Sequence, residues 1–186
     1  MLKNHPENPW QIRGDKKIYD NPWIRVTEYD VINPAGGRSD YTVVHFKNVA
    51  VGIVAIQDNH IWLVGQTRFP FGDYSWELPK GGSPKGESSV ETARRELGEE
   101  AGLAAEAMTL FMQMRVSNSV CDERAEIFIA KGLSEVEAKP EDTEDIMVRK
   151  VPLQDYFDEV LAGKITDSIT VAAAYKLMYI RVSPDS

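Results

Sequence analysis

The segment from Gly81 to Leu103, GGSPKGESSVETARRELGEEAGL, constrains this chain more than any other part of it. Its glutamates Glu96, Glu99 and Glu100 crowd into five residues behind a glycine-rich loop. Like charges at i,i+4 on a helix repel by roughly 0.2–0.5 kcal/mol per pair. A divalent cation bound between the carboxylates would turn this repulsion into attraction. We therefore expect this segment to contain the residues that carry out the chemistry.

The same segment predicts a helix with both ends marked. Ser88 and Glu91 form an S-x-x-E capping box, which favours a helix start, and Gly102 is a natural left-handed stop. Four apolar residues fall on one face at helical spacing: Val90, Ala93, Leu97 and Ala101. The three glutamates fall on one flank of that stripe, so we expect them at the edge of the core, open to a cleft.

Carboxylate oxygens at this spacing suit Mg²⁺ or Mn²⁺, which are usually held by few carboxylates together with waters and substrate phosphates. Glu96, Glu99 and Glu100 are therefore the predicted metal ligands. Glu87 and Arg95 are predicted to form a structural pair that ties the loop to the helix. The alternative is a solvated, glutamate-rich helix face without a ligand.

Size and charge limit the other possibilities. A chain of 186 residues is long enough for one well-buried core with a small appendage. Its net charge of −8 argues against a nucleic-acid binder with a basic surface. The single cysteine, Cys121, excludes an internal disulfide and fits a reducing compartment. The start, MLKNHPENPW, lacks an apolar signal region and no long apolar run follows, so we expect a cytoplasmic protein without a membrane partner.

Hydrophobic patterning predicts two regions, an N-terminal hairpin subdomain over 1–47 and a larger domain over 48–186. The predicted strands are Trp23–Ile32, Tyr41–Phe46, Val51–Ile56, Ile61–Gln66, Leu110–Arg115, Glu126–Lys131 and Ile146–Val151, with Phe69–Ser75 as a loop. Leu153–Leu161 and Ser168–Ile180 read as amphipathic helices. This order of elements favours an α/β fold with a mixed sheet between helices.

The helix segment resembles the signature box of the Nudix hydrolases at all its defining positions: Gly81, Glu87, Arg95, Glu96, Leu97, Glu99, Glu100, Gly102 and Leu103. The resemblance implies the α/β/α sandwich of that family, in agreement with the strand pattern. It also implies metal-dependent hydrolysis of a nucleoside diphosphate linked to another moiety, in which metal ions bridge phosphate oxygens and activate a water.

The flanks of the box resemble the branch of that family that cleaves ADP-ribose and nucleotide sugars. The upstream motifs are Gln66-x-Arg68 and Trp76-Glu77-Leu78-Pro79-x-Gly81. In that branch the arginine contacts the diphosphate, a role that falls on Arg68, and a backbone carbonyl just before the box binds metal, which falls on Lys80. The resemblance further assigns substrate binding to Glu77, Gly82 and Glu123, the last of these at the terminal ribose.

The acidic stretch from Glu141 to Ile146 resembles the catalytic loop of ADP-ribose pyrophosphatases. Glu144 then takes the place of their candidate general base, with Glu141 as the fallback, and Glu99 and Glu100 complete the predicted catalytic set. The resemblance also implies a homodimer in which the N-terminal region packs across a two-fold axis. Trp23, Tyr29 and Phe71 are all candidates to stack on the base.

Asn118-Ser119 stands where ADP-ribose enzymes typically carry a proline, which favours a broader nucleoside diphosphate sugar hydrolase acting on ADP-ribose, ADP-sugars or GDP-mannose. Two alternatives stay open. One is a Nudix enzyme for dinucleoside polyphosphates or RNA 5′ ends, since Gly81-Gly82 is common there. The other is a non-catalytic sensor of nucleotide sugars, although such proteins tend to lose the box glutamates that this chain keeps.

Overall fold

A computed structural model describes residues 8–138 and 145–182. The chain divides into two compact units. One consists of the described residues up to Asn48 together with Ser117–Glu123. The other consists of Val49–Val116 with the described residues from Arg124 onward.

The first unit is a three-stranded antiparallel sheet in the order β1-β2-β3. Its strands are β1 (Gln11–Asp20), β2 (Ile24–Ile32) and β3 (Arg38–Phe46). The predicted N-terminal hairpin is confirmed as β2 and β3, and β1 adds a third strand along β2. Nearly every residue of β1 is exposed, so that strand carries no apolar alternation from which a strand could be predicted.

The segment Ser117–Glu123 is held in the first unit by β3. Cys121 forms an isolated parallel bridge with Val44. Asp122 accepts a hydrogen bond from the backbone N–H of Phe46 at 2.9 Å and lies 2.6 Å from Nδ1 of His45. A segment far along the chain therefore belongs to the N-terminal unit.

The second unit contains a seven-stranded sheet with the path β10-β5-β4-β9-β8, in which β6 pairs with β5 and β7 with β4. The strands are β4 (Val49–Gln57), β5 (His60–Arg68), β6 (Asp73–Glu77), β7 (Lys80–Ser83), β8 (Leu103–Arg115), β9 (Arg124–Glu135) and β10 (Met147–Pro152). The β4–β9 pair is parallel and the other pairs are antiparallel, so the mixed sheet predicted from the element order is confirmed.

Helices cover both faces of this sheet. They are α1 (Ser89–Ala101), α2 (Leu153–Leu161) and α3 (Ser168–Val182). Ala93 and Leu97 of α1 pack with Val51 and Ile53 of β4 on one face. Buried apolar residues of α2 and α3 pack with Val54 on the other face. Alternate residues of β4 thus point into two separate cores, and the α/β/α sandwich is confirmed.

The predicted loop at Phe69–Ser75 is only partly a loop. The chain reverses at Gly72, which has φ of 69°, and Asp73–Glu77 returns as β6 against β5. The glycine-rich start of the box is also extended, as β7 beside β4. Both strands are short and depend on pairing with a neighbour for their hydrogen bonds, which a sequence pattern does not reveal.

Candidate active site

The helix that carries the glutamates begins and ends where the sequence predicts. Ser88 is the N-cap, and its side chain and that of Glu91 make both bonds of the capping box. Gly102 closes the helix in the left-handed conformation with φ of 64°. Ala93, Leu97 and Ala101 are buried, but Val90 is exposed, because it lies in the first turn beyond the edge of the core. The packed face fixes the rotation of the helix.

That rotation buries two of the three box carboxylates. Glu96 and Glu100 are 9% and 2% exposed, and Glu99 is half-buried. The Glu96 carboxylate lies so close to Gly81 that a Cβ at position 81 would overlap it. Glu100 accepts a hydrogen bond from the backbone N–H of Lys80 at 2.8 Å. Strand β7 and helix α1 are thus joined through the carboxylates themselves.

Arg95 contacts three carboxylates. Its Nη1 donates to Glu96 and Glu99, each at 2.7 Å, and its Nε donates to Glu87 at 3.1 Å. The predicted Glu87–Arg95 pair is therefore confirmed. Its hydrogen bond to Glu87 and the other nearby carboxylates raise the pKa of Arg95 above its usual range. This arginine offsets the repulsion within the box.

A second charged network joins β5, β6 and β7. Arg68 donates to Glu77 through Nε and Nη2 at 3.0 and 2.5 Å, and Nζ of Lys80 lies 2.8 Å from Glu77. Glu77 is only 2% exposed. Burial alone would raise the pKa of Glu77, but its bonds with Arg68 and Lys80 outweigh that effect and lower it to about 2.

Asp167 is a member of this network to which the sequence assigned no role. It forms an ion pair with Lys80, and its other oxygen accepts from the Thr170 N–H and hydroxyl at 2.9 and 2.7 Å. Asp167 therefore caps α3, which begins at Ser168. The signal was present in the sequence, since an aspartate directly before an apolar periodic run is typical of an N-cap.

Of the other predicted residues, Gly82 and Glu123 are described by the structure and Glu141 and Glu144 are not. Gly82 is exposed on β7, where it pairs with Ala50. Glu123 belongs to the first unit, at the end of Ser117–Glu123. Glu141 and Glu144 lie outside the described residues.

Within residues 8–138 and 145–182, no group of three or more His, Cys, Asp or Glu side chains is arranged to hold a metal ion. The donors still fit a hard divalent cation, because carboxylate oxygens gather beside the backbone of Lys80 and the missing side chain of Gly81 leaves room for Glu96. Glu96 and Glu99 would have to turn from Arg95 to bind it.

Comparisons with known proteins agree with this geometry. Residues 46–171 match the NUDIX domain, and residues 10–44 match the nucleoside diphosphate sugar hydrolase N-terminal domain. The chain belongs to the NUDIX family, and it is a Nudix hydrolase.

Two curated relatives cover most of the chain. An ADP-ribose pyrophosphatase of Mycobacterium tuberculosis is 37% identical over 89% of this chain and 82% of its own length. An ADP-ribose pyrophosphatase of Bacillus subtilis is 32% identical over 90% of both chains. The crystal structure of an ADP compounds hydrolase superposes with a TM-score of 0.84, covering 94% of this chain and 95% of the other at 23% identity, which supports the fold.

In the part of the chain that the structure describes, none of the helices is both long enough and apolar enough to cross a bilayer.

Proposed function

We propose that this protein hydrolyses the diphosphate bond of nucleoside diphosphate sugars, such as ADP-ribose, ADP-sugars or GDP-mannose, to a nucleoside monophosphate and a sugar phosphate. The observation that carries the proposal is the presence of two matched domains on one chain, the nucleoside diphosphate sugar hydrolase N-terminal domain and the NUDIX domain. The box glutamates are all retained. The curated relatives named above act on ADP-ribose.

Arg68 is the proposed contact for the diphosphate. Its Nε and one Nη are committed to Glu77, which leaves N–H donors of the guanidinium for phosphate oxygens. The Arg68 side chain is 35% exposed, whereas Glu77 is buried between Arg68 and Lys80. Glu77 therefore orients Arg68 in this proposal, in place of the direct substrate contact expected from the sequence.

Mg²⁺ or Mn²⁺ is the proposed cofactor, held by the Lys80 carbonyl with Glu96, Glu99 and Glu100. Such an ion supplies charge neutralisation of the diphosphate and an activated water when bound. Two neighbouring residues position these ligands. Gly81 makes room for the Glu96 carboxylate, and the Lys80 N–H donates a hydrogen bond that orients the Glu100 carboxylate. Gly82, exposed on β7, and Glu123 are proposed substrate contacts.

The test of this function is Glu99→Gln and Glu100→Gln, assayed on a panel of nucleotide sugars with Mg²⁺. Each change removes a proposed metal ligand and with it transition-state stabilisation, so kcat should fall at least about 100-fold. Glu135→Gln, an exposed glutamate at the end of β9, is the matched control and should keep full activity. Full activity of the Glu100→Gln variant, or of the wild type in excess EDTA, would refute the proposal.

Glu144 is the proposed general base. An attacking water needs a carboxylate within hydrogen-bond reach, and the box glutamates are poor candidates while they bind metal. We assign the base instead to the acidic stretch from Glu141 to Ile146, which resembles the catalytic stretch of ADP-ribose pyrophosphatases.

Paired kinetics on two variants distinguish the roles of Glu144 and Glu141. Glu144→Gln should lower kcat strongly with little change in KM, the pattern of a group that acts in the transition state. Glu141→Gln should have a much smaller effect and serves as the control. If Glu141→Gln is the crippled variant, or if neither is, the base is misassigned and Glu99 becomes the next candidate.

A homodimer in the cytoplasm is the proposed form of the enzyme. The first unit exposes large apolar side chains: Ile12, Ile18 and Tyr19 on β1, and Trp23 just before β2. Among the described residues, strand β1 is also the edge strand of this sheet and pairs only with β2. Apolar area of this kind is typical of a surface that another copy covers. The free thiol of Cys121 is consistent with a reducing compartment.

A further inference from the structure

Two arginines face each other across neighbouring strands of the second unit. Arg115, the last residue of β8, pairs directly with Arg124, the first residue of β9. Among residues 8–138 and 145–182, neither guanidinium has an ion-pair partner. Like charges directly opposite each other destabilise a sheet. An anion bound between them would replace that repulsion with attraction.

The two arginines line a cleft of about 480 Å³, called here the arginine cleft, together with Val49, Gln113 and Glu126 among others. The Glu126 carboxylate accepts a hydrogen bond from Nε2 of Gln113 at 2.8 Å, so this acid already has a partner. The side chains of the cleft carry two positive charges against one negative. This is a locally positive site in a chain of net charge −8.

Strand register places the cleft on the same face of the sheet as the box carboxylates. Gly81 pairs with Val51, and Val51 pairs with Glu126. Residues directly opposite on paired strands point to the same face. A Cβ on Gly81 would meet the Glu96 carboxylate of α1, so the paired residues Gly81, Val51 and Glu126 all face α1. Glu126 is therefore on the face that carries Glu96.

Arg124 precedes Glu126 by two residues and lies on the same face, as does its partner Arg115. Gly81 and Glu126 are two strand spacings apart, about 10 Å, and Arg124 lies about 7 Å further along β9. One sugar unit, together with the length of the arginine side chains, is thus about long enough to span the distance from the site of diphosphate cleavage to the arginine cleft.

We propose that the arginine cleft binds an oxyanion carried by the sugar moiety, so that the preferred substrates are nucleoside diphosphate sugars with an acidic sugar. Guanidinium groups bind carboxylate and phosphate oxygens in bidentate geometry, and a pair of them selects for such a group. The inference rests on the proposed function and narrows it to a substrate class.

The kinetic test compares an ADP-hexose with the matching ADP-hexuronate, which differ only in the oxidation of one carbon. The wild type should prefer the uronate in kcat/KM by about tenfold, the value of one charge-assisted contact. Arg115→Gln and Arg124→Gln should each abolish the preference and leave the neutral sugar unaffected. Arg13→Gln, an exposed arginine of β1, is the matched control and should keep the preference.

A binding test needs no turnover. Inorganic phosphate is titrated into the full chain by calorimetry, with the fold of each variant checked by circular dichroism. The wild type and Arg13→Gln should bind phosphate, and the Arg115→Gln/Arg124→Gln double variant should bind it at least about tenfold more weakly. Equal binding by the double variant would overturn the subsite.

The two proposals fail in different ways. Hydrolysis of both sugars with equal kcat/KM overturns the substrate assignment alone and leaves the proposed function in place. Hydrolysis of neither sugar, nor of any other nucleotide sugar, overturns the proposed function and the substrate assignment with it.

Discussion

Glu77 shows how one buried side chain organises the site. The Glu77 carboxylate forms ion pairs with Arg68 and Lys80. Lys80 forms a further ion pair with Asp167. The sequence assigned Lys80 a role only through its backbone carbonyl. In the structure the Lys80 side chain pairs with the carboxylates of Glu77 and Asp167, and its backbone N–H donates to Glu100. Removing one partner of a buried pair leaves an uncompensated charge, so these residues depend on one another.

The lowered pKa of Glu77 predicts a pH dependence of stability. Its folded pKa of about 2 lies below the ordinary value of 4.5, so the ionised carboxylate stabilises the fold above about pH 4.5. This contribution, at most about 3 kcal/mol, is lost as the pH falls from about 4.5 towards 2. The measurement is urea unfolding from pH 5 to pH 3.

Comparison with Glu77→Gln isolates this carboxylate from the other acids. The variant should be less stable than the wild type at pH 5, and the difference should shrink as the pH falls. Glu135→Gln, which changes an exposed acid, should follow the wild type throughout. If the difference in the free energy of unfolding between the wild type and Glu77→Gln stays constant with pH, the stabilisation does not come from the ionised Glu77 carboxylate.

At the scale of the element, helix α1 is defined by its own sequence at both ends. The Ser88–Glu91 capping box satisfies donors at its start, and Gly102 accepts the left-handed conformation at its end. The helix carries every box glutamate except Glu87, so the stability of its first turn bears directly on the site.

Ser88→Ala should lower the free energy of unfolding by about 1 kcal/mol, because it leaves first-turn N–H groups without their side-chain acceptor. Chemical denaturation of the variant against the wild type measures this. Ser89→Ala, one residue further on and already inside the helix, is the control and should change stability by less than about 0.5 kcal/mol. Equal effects of the two substitutions would mean that the cap contributes nothing.

At the scale of the whole molecule, the predicted homodimer is tested by sedimentation. The chain has a mass of 20.9 kDa, and we expect twice that value at micromolar concentration. Ile12→Lys, on the exposed side of β1, should shift the protein towards the monomer, because it places a charge in the proposed interface. Lys16→Gln on the same strand is the control. A wild type that sediments as a monomer at micromolar concentration would rule out the dimer.

Much of the second unit could be predicted from the sequence. The strands β4 and β5 and the helices α1 and α2 carry apolar periodicity and clear end signals, and they lie where they were expected. Strands β1 and β6 could not be predicted. Strand β1 is almost wholly exposed and β6 has only five residues, and the hydrogen bonds of both come from neighbours that the local pattern does not identify.

The sequence by itself determined the helix that carries the carboxylates, since capping and helical period are local properties of about fifteen residues. Only the tertiary structure decided which charges meet. Lys80 and Asp167 are 87 positions apart, and Arg115 faces Arg124 only through the register of β8 on β9. Pairings of this kind depend on how strands and helices pack, because the chain brings distant residues together only when the sheet has formed.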